Sequence, residues 1–531
     1  VSEPPILWYC RDTNGDGKCD EKIEAYKGYA SQGPVEHTEN GLLRGLDGWL
    51  YNAKSSKRLW FSLVDGQPKI EVDSTTGRGQ WGITQDNYGR LYHNSNSSYL
   101  SMDTTPSDYL RRNPHYEIKS NSRGVASDQS VWSIRVNPGI NRGYQGPMLR
   151  EDGRLARTTA TCGPGIYRGD QYPPEYVGNA FIPEPSGNVV SHFIPEEQSD
   201  GSVRMKHTTY EDPQWEKREF LASTDERFRP VNAYTGPDGC MYVVDMYRGI
   251  LQHRVYVTTF LRKQILERGL DKPIGLGRIY RIVYEGAAPQ KSTMRENATR
   301  PMLSKASSAE LVKTLAHPNG WHRDTAQRLL IERNDGSVAG AIAEIATSHK
   351  VNVTGLHALY TLAGMDHLDY LTLSFAVEDE HPKVRTVALR VSEKLLNAVV
   401  KGSEEQDQQD LLNAVLANMK EKNPEIVRQL AFTLGGAKAP RVGDAVRQLL
   451  LAHGSKNEIR EAVLTGLYQR ELEFLQRTLA NEAWTKKTRE TEQLIKDLTN
   501  CVITEYQPAR IARLLDLAAD QQGNAAWRGQ V

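Results

Sequence analysis

The sequence predicts a multidomain protein: an all-β propeller, incomplete at its N-terminal end, followed by an all-α solenoid of HEAT-like repeats. Three observations predict it. Up to Val283 the chain is rich in Gly, Pro, Asn, Asp, Tyr and Trp, with short apolar runs between turn residues, which is the texture of an all-β region. Within that region a turn-then-strand unit recurs, as Asp47-Gly48-Trp49-Leu50-Tyr51, Tyr88-Gly89-Arg90-Leu91-Tyr92 and Asp238-Gly239-Cys240-Met241-Tyr242. The first two stand roughly 40 residues apart, close to the length of one four-stranded blade. After a polar stretch, glycine and aromatics thin out, and Ala, Leu, Glu, Lys and Arg recur at helical period. The expected boundaries are 1–285 for the propeller, 286–301 for a linker and 302–531 for the solenoid. At ~40–45 residues per blade the first part would hold six, and longer insertions between the later repeats point to fewer. A β-sandwich is the alternative for this half.

Taken in order, the first element of note is Asp12-Thr13-Asn14-Gly15-Asp16-Gly17-Lys18-Cys19-Asp20. Side-chain oxygens from Asp12, Asn14, Asp16 and Asp20, the Lys18 carbonyl and a glycine for the sharp turn fit a calcium loop. Position twelve, where an EF-hand carries a bidentate glutamate, is Ile23, so the pattern is closer to the nine-residue calcium loops of integrin-type propellers. The motif supplies no nucleophile, so the ion would be structural. Glu36-His37-Thr38-Glu39-Asn40 follows on a loop entering a strand, and a histidine beside carboxylates can serve as a proton acceptor near neutral pH. Cys162, beside glycine, reads as a structural cysteine, since no neighbour in sequence lowers its pKa. Arg227 and Arg229 share one face of an extended segment. They are either a double clamp for carboxylates or phosphates or two surface arginines on an ordinary hairpin.

In the second half, helix-like segments open on a polar residue, usually with proline beside it: His317-Pro318 before 321–331, His381-Pro382 before 384–396, Asn423-Pro424 before 426–434, and Asn457 before 459–468. Such entries suit helix starts, and spacings of roughly 33 to 42 residues suit paired-helix repeats.

The charge balance excludes some partners. Sixty-six basic residues meet sixty-six acidic ones across 531 residues, so nucleic acid and anionic membrane surfaces are poor expectations. No apolar run reaches membrane-spanning length. Five cysteines form neither a CxxC nor a CxxCH pattern, and Cys10 and Cys19 could pair in an oxidising compartment. The opening at Val1, without initiator methionine or secretory signal, fits a mature form or an internal segment.

Several long stretches carry a resemblance: CGPGIYRGDQYPPEYVGNAFIPEPSGNVV, REFLASTDERFRPVNAYTGPDGCMYVVDMYR and GRIYRIV, with DTNGDGKCDE ahead and HPNGWHRDTAQRLL behind. Together they resemble the planctomycete-type membrane-bound dehydrogenase family over nearly the whole chain. That family joins a propeller like that of soluble PQQ-dependent glucose/sorbosone dehydrogenases to HEAT repeats, commonly followed by a haem c domain. The resemblance implies a periplasmic or secreted quinone-dependent dehydrogenase acting on a sugar or polysaccharide-derived alcohol, with electrons passing to a cytochrome c domain or protein outside this segment. It places His37 as the base taking the substrate hydroxyl proton, Arg78 on the substrate and quinone side, and Arg227 with Arg229 on the carboxylates of PQQ. The family's quinone-binding lysine position, near 184–187, carries Pro185 and Ser186 here, and Gly79 and Trp81 replace an amide pair. These departures keep open a non-catalytic carbohydrate-binding or scaffolding propeller–HEAT protein.

Overall fold

A computed structural model describes residues 1–286, 301–348, 352–484 and 488–519. Apart from its ends, the expected linker lies outside these residues. By compactness the chain forms two units, Val1–Asp103 with Ser122–Val338, and Thr104–Asn121 with Ala339–Val531.

The first unit carries a five-bladed propeller-like arrangement of antiparallel sheets. Its blades are Ser2–Glu3, Ile6–Arg11 and Glu21–Lys27; Asn40–Arg44, Leu50–Ala53, Lys57–Val64 and Gln67–Ser74; Ile83–Gln85, Leu91–Ser95, Ser98–Asp103 and Ser122–Gly124; Gly165–Ile166, Ala180–Glu184, Val189–Glu197 and Val203–Thr208; and Pro230–Thr235, Met241–Asp245 and Arg278–Ile282. In most blades the strands follow chain order as a meander, though Ser98–Asp103 joins Ser122–Gly124 through Thr104–Asn121, and Met241–Asp245 joins Arg278–Ile282 through a segment carrying helix Thr259–Arg268.

The repeated turn has one chemistry in three blades. Asp47, Asp86 and Asp238 each accept the backbone N–H two residues on, at 3.3, 2.9 and 3.2 Å. Each also accepts a tyrosine hydroxyl from the following strand, Tyr51 at 2.7 Å, Tyr92 at 3.2 Å and Tyr242 at 3.1 Å. The glycines of these turns, Gly48, Gly89 and Gly239, take φ of +87°, +78° and +78°, a region costly for residues with a Cβ. Between the sheets, Tyr99, Ile182, Val189 and Phe193 are fully buried in one core cluster, and Phe181, on the opposite strand face from Ile182, is buried in another. Helices Ser308–Thr314 and Gly320–Arg333 belong to this unit, where the Arg168 guanidinium is bidentate to Asp324 at 2.7 and 2.8 Å.

The second unit is a two-layer helical array. Helices Asn352–Met365, Pro382–Leu396, Pro424–Gly436 and Asn457–Gly466 stack in succession as one row. Tyr370–Ala376 packs on Ser403–Ala417 in the other. Polar residues ahead of helices act as caps: in this unit Asn423 accepts from Glu425 N at 3.0 Å and His381 from Lys383 N at 3.3 Å, and in the first unit Asn319, rather than the expected His317, accepts from Trp321 N at 2.9 Å. Asn457 differs, since Lys456 is the cap residue and the Asn457 amide bonds Glu461 at 3.0 Å. The segment Thr104–Asn121 is keyed into this array: Arg112 pairs with Glu393 at 3.0 Å, and the Asn113 amide donates to Glu471 at 2.8 Å. No helix among the described residues is long and apolar enough to cross a membrane.

Candidate functional site

The site is built by close packing where the first strands of successive blades begin. A Cβ added at Gly41 would lie 2.3 Å from Gly82 Cα, one at Gly82 would lie 3.0 Å from Gly163 Cα, and one at Gly163 would lie 1.9 Å from the Asn232 amide nitrogen. Only glycine permits this approach. The entry loops of the blades are thereby drawn together, bringing 34–40 beside 80–82. Asn40 locks the two loops, donating to Gln80 O at 2.9 Å and accepting Gly82 N at 2.9 Å.

His37 sits at the end of a 3-10 turn, Val35–His37, whose backbone closes on Pro34 O at 2.8 Å. The neighbouring Glu36 carboxylate takes Gln252 Nε2 at 2.6 Å and His253 N at 2.8 Å, which fastens the segment ahead of Tyr256 to this turn. The His37 ring, half-buried, meets the edge of Tyr256 at 4.9 Å between centroids and faces Trp81 at 6.4 Å. Its Nδ1 lies 3.3 Å from Gln80 Nε2. An amide nitrogen donates, so Nδ1 accepts, and the neutral imidazole carries its proton on Nε2. Among the described residues Nε2 has no hydrogen-bond partner. In this tautomer the outward nitrogen is a donor. Acting as a base there requires the Gln80 carbonyl oxygen to face Nδ1 instead.

The other expected site residues lie elsewhere. Arg78 is 1% exposed and its guanidinium is engaged internally, with Asp103 at 2.6 Å, Thr75 Oγ1 at 2.8 Å and Thr76 O at 3.0 Å, over the Tyr51 ring. Arg229, also buried, donates to the carbonyls of Pro185 at 2.6 Å, Gly249 at 2.9 Å and Arg248 at 3.1 Å. Desolvation pulls its pKa down to about 10. Arg227 donates to the carbonyls of Gly269 and Lys272 at 3.2 and 3.1 Å. The arginine pair, in the turn and short segment ahead of strand Pro230–Thr235, ties the segments 248–249 and 269–272 to it. Cys162, half-buried, donates to Ala160 O at 3.2 Å, and burial, then the nearby Glu184 and Glu36 carboxylates, push its thiol pKa far up. It is a protonated, structural thiol.

In the Asp12–Asp20 loop the oxygens turn to the loop's own amides. Asp12 accepts Gly15 N at 2.6 Å and Gly17 N at 2.8 Å, Asn14 accepts Asp16 N at 2.8 Å, and Asp16 accepts Lys18 N at 2.8 Å. Asp20 takes the Thr13 hydroxyl at 2.8 Å and the Thr13 amide at 2.7 Å, bonds that lower its pKa. Hard oxygen donors suit calcium, yet among the described residues no three acidic, histidine or cysteine side chains converge as a metal set.

Tyr256, Gln80 and His253 escaped the sequence reading of this site. No local pattern marks them, because each joins His37 or Glu36 only through packing between distant segments.

Fold and site together define a five-bladed propeller protein with a helical-repeat unit and an aromatic-flanked histidine at the meeting of its blade entries. The chain belongs to the family described as Domain of unknown function (DUF7133), whose match covers residues 1–286. No curated protein and no solved structure matches it.

Proposed function

We propose that the protein binds a sugar or another polyhydroxylated alcohol at the His37 site of its propeller. One observation carries this reading: an imidazole fixed at Nδ1 by Gln80, with no partner for Nε2 among the described residues, stands beside the rings of Trp81 and Tyr256. Sugar rings offer hydroxyls to such a nitrogen and C–H faces to such aromatics. Titration calorimetry with a panel of mono- and oligosaccharides tests it. Binding weakened at least ~10-fold, about 1.4 kcal/mol, by His37→Ala and by Trp81→Ala supports the reading. Saccharide binding that both variants leave unchanged would refute this location.

A second reading is oxidation of the bound alcohol by a PQQ-dependent mechanism in a periplasmic or secreted protein, with electrons leaving to a haem c partner. What favours it is the same His37, in the position the resemblance gives to the base. The carried-over arginines do not fit the cofactor's carboxylates, because Arg78, Arg227 and Arg229 already donate to Asp103 and to backbone carbonyls. No step is therefore derived through the quinone. Tight PQQ binding that is lost in an Arg227→Ala/Arg229→Ala variant of unchanged melting temperature would restore the dehydrogenase reading. Saccharide binding without PQQ binding leaves the carbohydrate-binding one.

A further inference from the structure

We propose that Cys10 and Cys19 form a reversible disulfide that staples the base of the acidic Asp12–Asp20 loop. The two residues are brought together by a hairpin. Cys10 lies on strand Ile6–Arg11, which pairs with Glu21–Lys27 in the register Cys10 to Lys22 and Arg11 to Glu21. Asp20 N closes the loop on Arg11 O at 2.8 Å, and Cys19 is the residue directly before it. The Cys19 thiol, exposed, donates to Glu21 O at 3.1 Å, on the residue that pairs with Arg11 next to the half-buried Cys10. The loop between them is pinned by its own Asx bonds, so the ends that must meet are already held near each other.

The reaction partner is a small external disulfide such as oxidised glutathione. Cys19, the exposed thiol, loses its proton and attacks one sulfur of that disulfide, releasing a thiolate and leaving a mixed disulfide on Cys19. The Cys10 thiolate then attacks the Cys19 sulfur and expels the second thiolate. Two protein S–H bonds are lost, one S–S bond forms, and two electrons with two protons pass to the external disulfide, which becomes two thiols. The remaining cysteines offer no competing pair: Cys240 and Cys501 are buried, and Cys162 hydrogen-bonds Ala160 O. Such a staple suits an oxidising compartment.

Trypsin makes the test direct, because Arg11 and Lys18 lie between the two cysteines. The full chain is incubated at mildly alkaline pH with oxidised glutathione and ~0.1 mM reduced glutathione, then digested without reductant and analysed by mass spectrometry. The expected result is one species joining the peptide that ends at Arg11 to Cys19–Lys22, separated by a reductant. Proximity gives Cys10 an effective concentration of at least ~1 mM, so the linked form should exceed glutathionylated Cys19 about 10-fold or more. In Cys10→Ser the link should vanish and glutathione should remain on Cys19. Glutathione on both cysteines of the parent protein, with no linked peptide, would overturn the proposal. So would an unmodified pair after prolonged incubation.

Discussion

His192 should make the propeller unit acid-sensitive in a calculable way. The ring lies flat between Phe181 and Tyr176, with centroids 4.8 and 5.7 Å away and interplanar angles of 1° and 4°. Its Nε2 accepts from the Asn179 amide at 3.0 Å and its Nδ1–H donates to the Tyr210 hydroxyl at 3.0 Å, so both ring nitrogens are satisfied in the neutral form. A second proton would aim Nε2–H at the Asn179 amide hydrogens. Desolvation, then repulsion from His207, holds the pKa down to about 4 against an ordinary 6.5. With a depressed folded pKa, the contribution is fully present above 6.5 and is lost as the unfolded histidine protonates, down to the folded pKa near 4. Between pH 7 and 4.5 the loss is about 2.5 kcal/mol. The assay is urea unfolding at both pH values, for the parent and for His192→Phe. Phenylalanine keeps the stacked ring, and its cost of leaving Asn179 and Tyr210 without the imidazole is nearly independent of pH. The stability lost on acidification should therefore shrink by about 2.5 kcal/mol in the variant. An equal loss in both proteins would refute the burial argument.

Four further predictions rest on other groups. His207 bridges Asp128 at 3.3 Å and Glu219 at 3.0 Å; burial opposes its charge, but the two carboxylates outweigh burial and raise its pKa above 6.5. Its contribution is full below pH 6.5 and fades as pH rises through the folded pKa, so His207→Gln should flatten the alkaline side of a melting-temperature profile. Arg78→Met should destabilise the protein by about 3 kcal/mol in urea unfolding, since it leaves the Asp103 carboxylate, 8% exposed, without its cation. A stable Arg78 variant defective only in ligand affinity would contradict that structural role. Replacing Asp12 and Asp16 together with Ala should lower the melting temperature only in the presence of calcium, and identical melting of variant and parent in calcium and in chelator would remove the metal assignment. Gly41→Ala should abolish saccharide binding and destabilise by more than about 1 kcal/mol, whereas Gly77→Ala, with nothing within 4 Å of its Cβ, should change neither.

Features written in local chemistry were legible in the sequence. The Asp-Gly units announced blades because the aspartate, the left-handed glycine and the tyrosine that closes on the aspartate fall within about seven residues of one another. The residues ahead of the solenoid helices announced helix starts for the same reason, and His381 and Asn423 cap them. What a face meets across the fold was not legible. Spacing puts Arg227 and Arg229 on one face of an extended segment, but Arg227 lies in a turn ahead of the strand Pro230–Thr235, and the carbonyls of segments 248–249 and 269–272 take both guanidinium groups. Likewise Thr104–Asn121 has the composition of the β half, yet its Arg112 and Asn113 find their carboxylates, Glu393 and Glu471, far along the chain among the helices.

The buried arginines share a logic that bears on where a ligand can bind. Arg78, Arg154 and Arg229 are each nearly enclosed, and each guanidinium spreads its donors over backbone carbonyls, a carboxylate or both. A propeller is made of short meanders whose loops leave carbonyls without ladder partners, and an arginine, with five donors in a rigid fork, satisfies several at once. A buried arginine in this fold is therefore bound first to backbone, and taking it for a ligand would leave those carbonyls unpaired at about 1–3 kcal/mol each. His37 is under no such obligation: one nitrogen fixes the ring on Gln80, and among the described residues the other has no hydrogen-bond partner. This difference in commitment, more than proximity to the blade entries, is why the proposed ligand site is placed at His37 and not at the arginines.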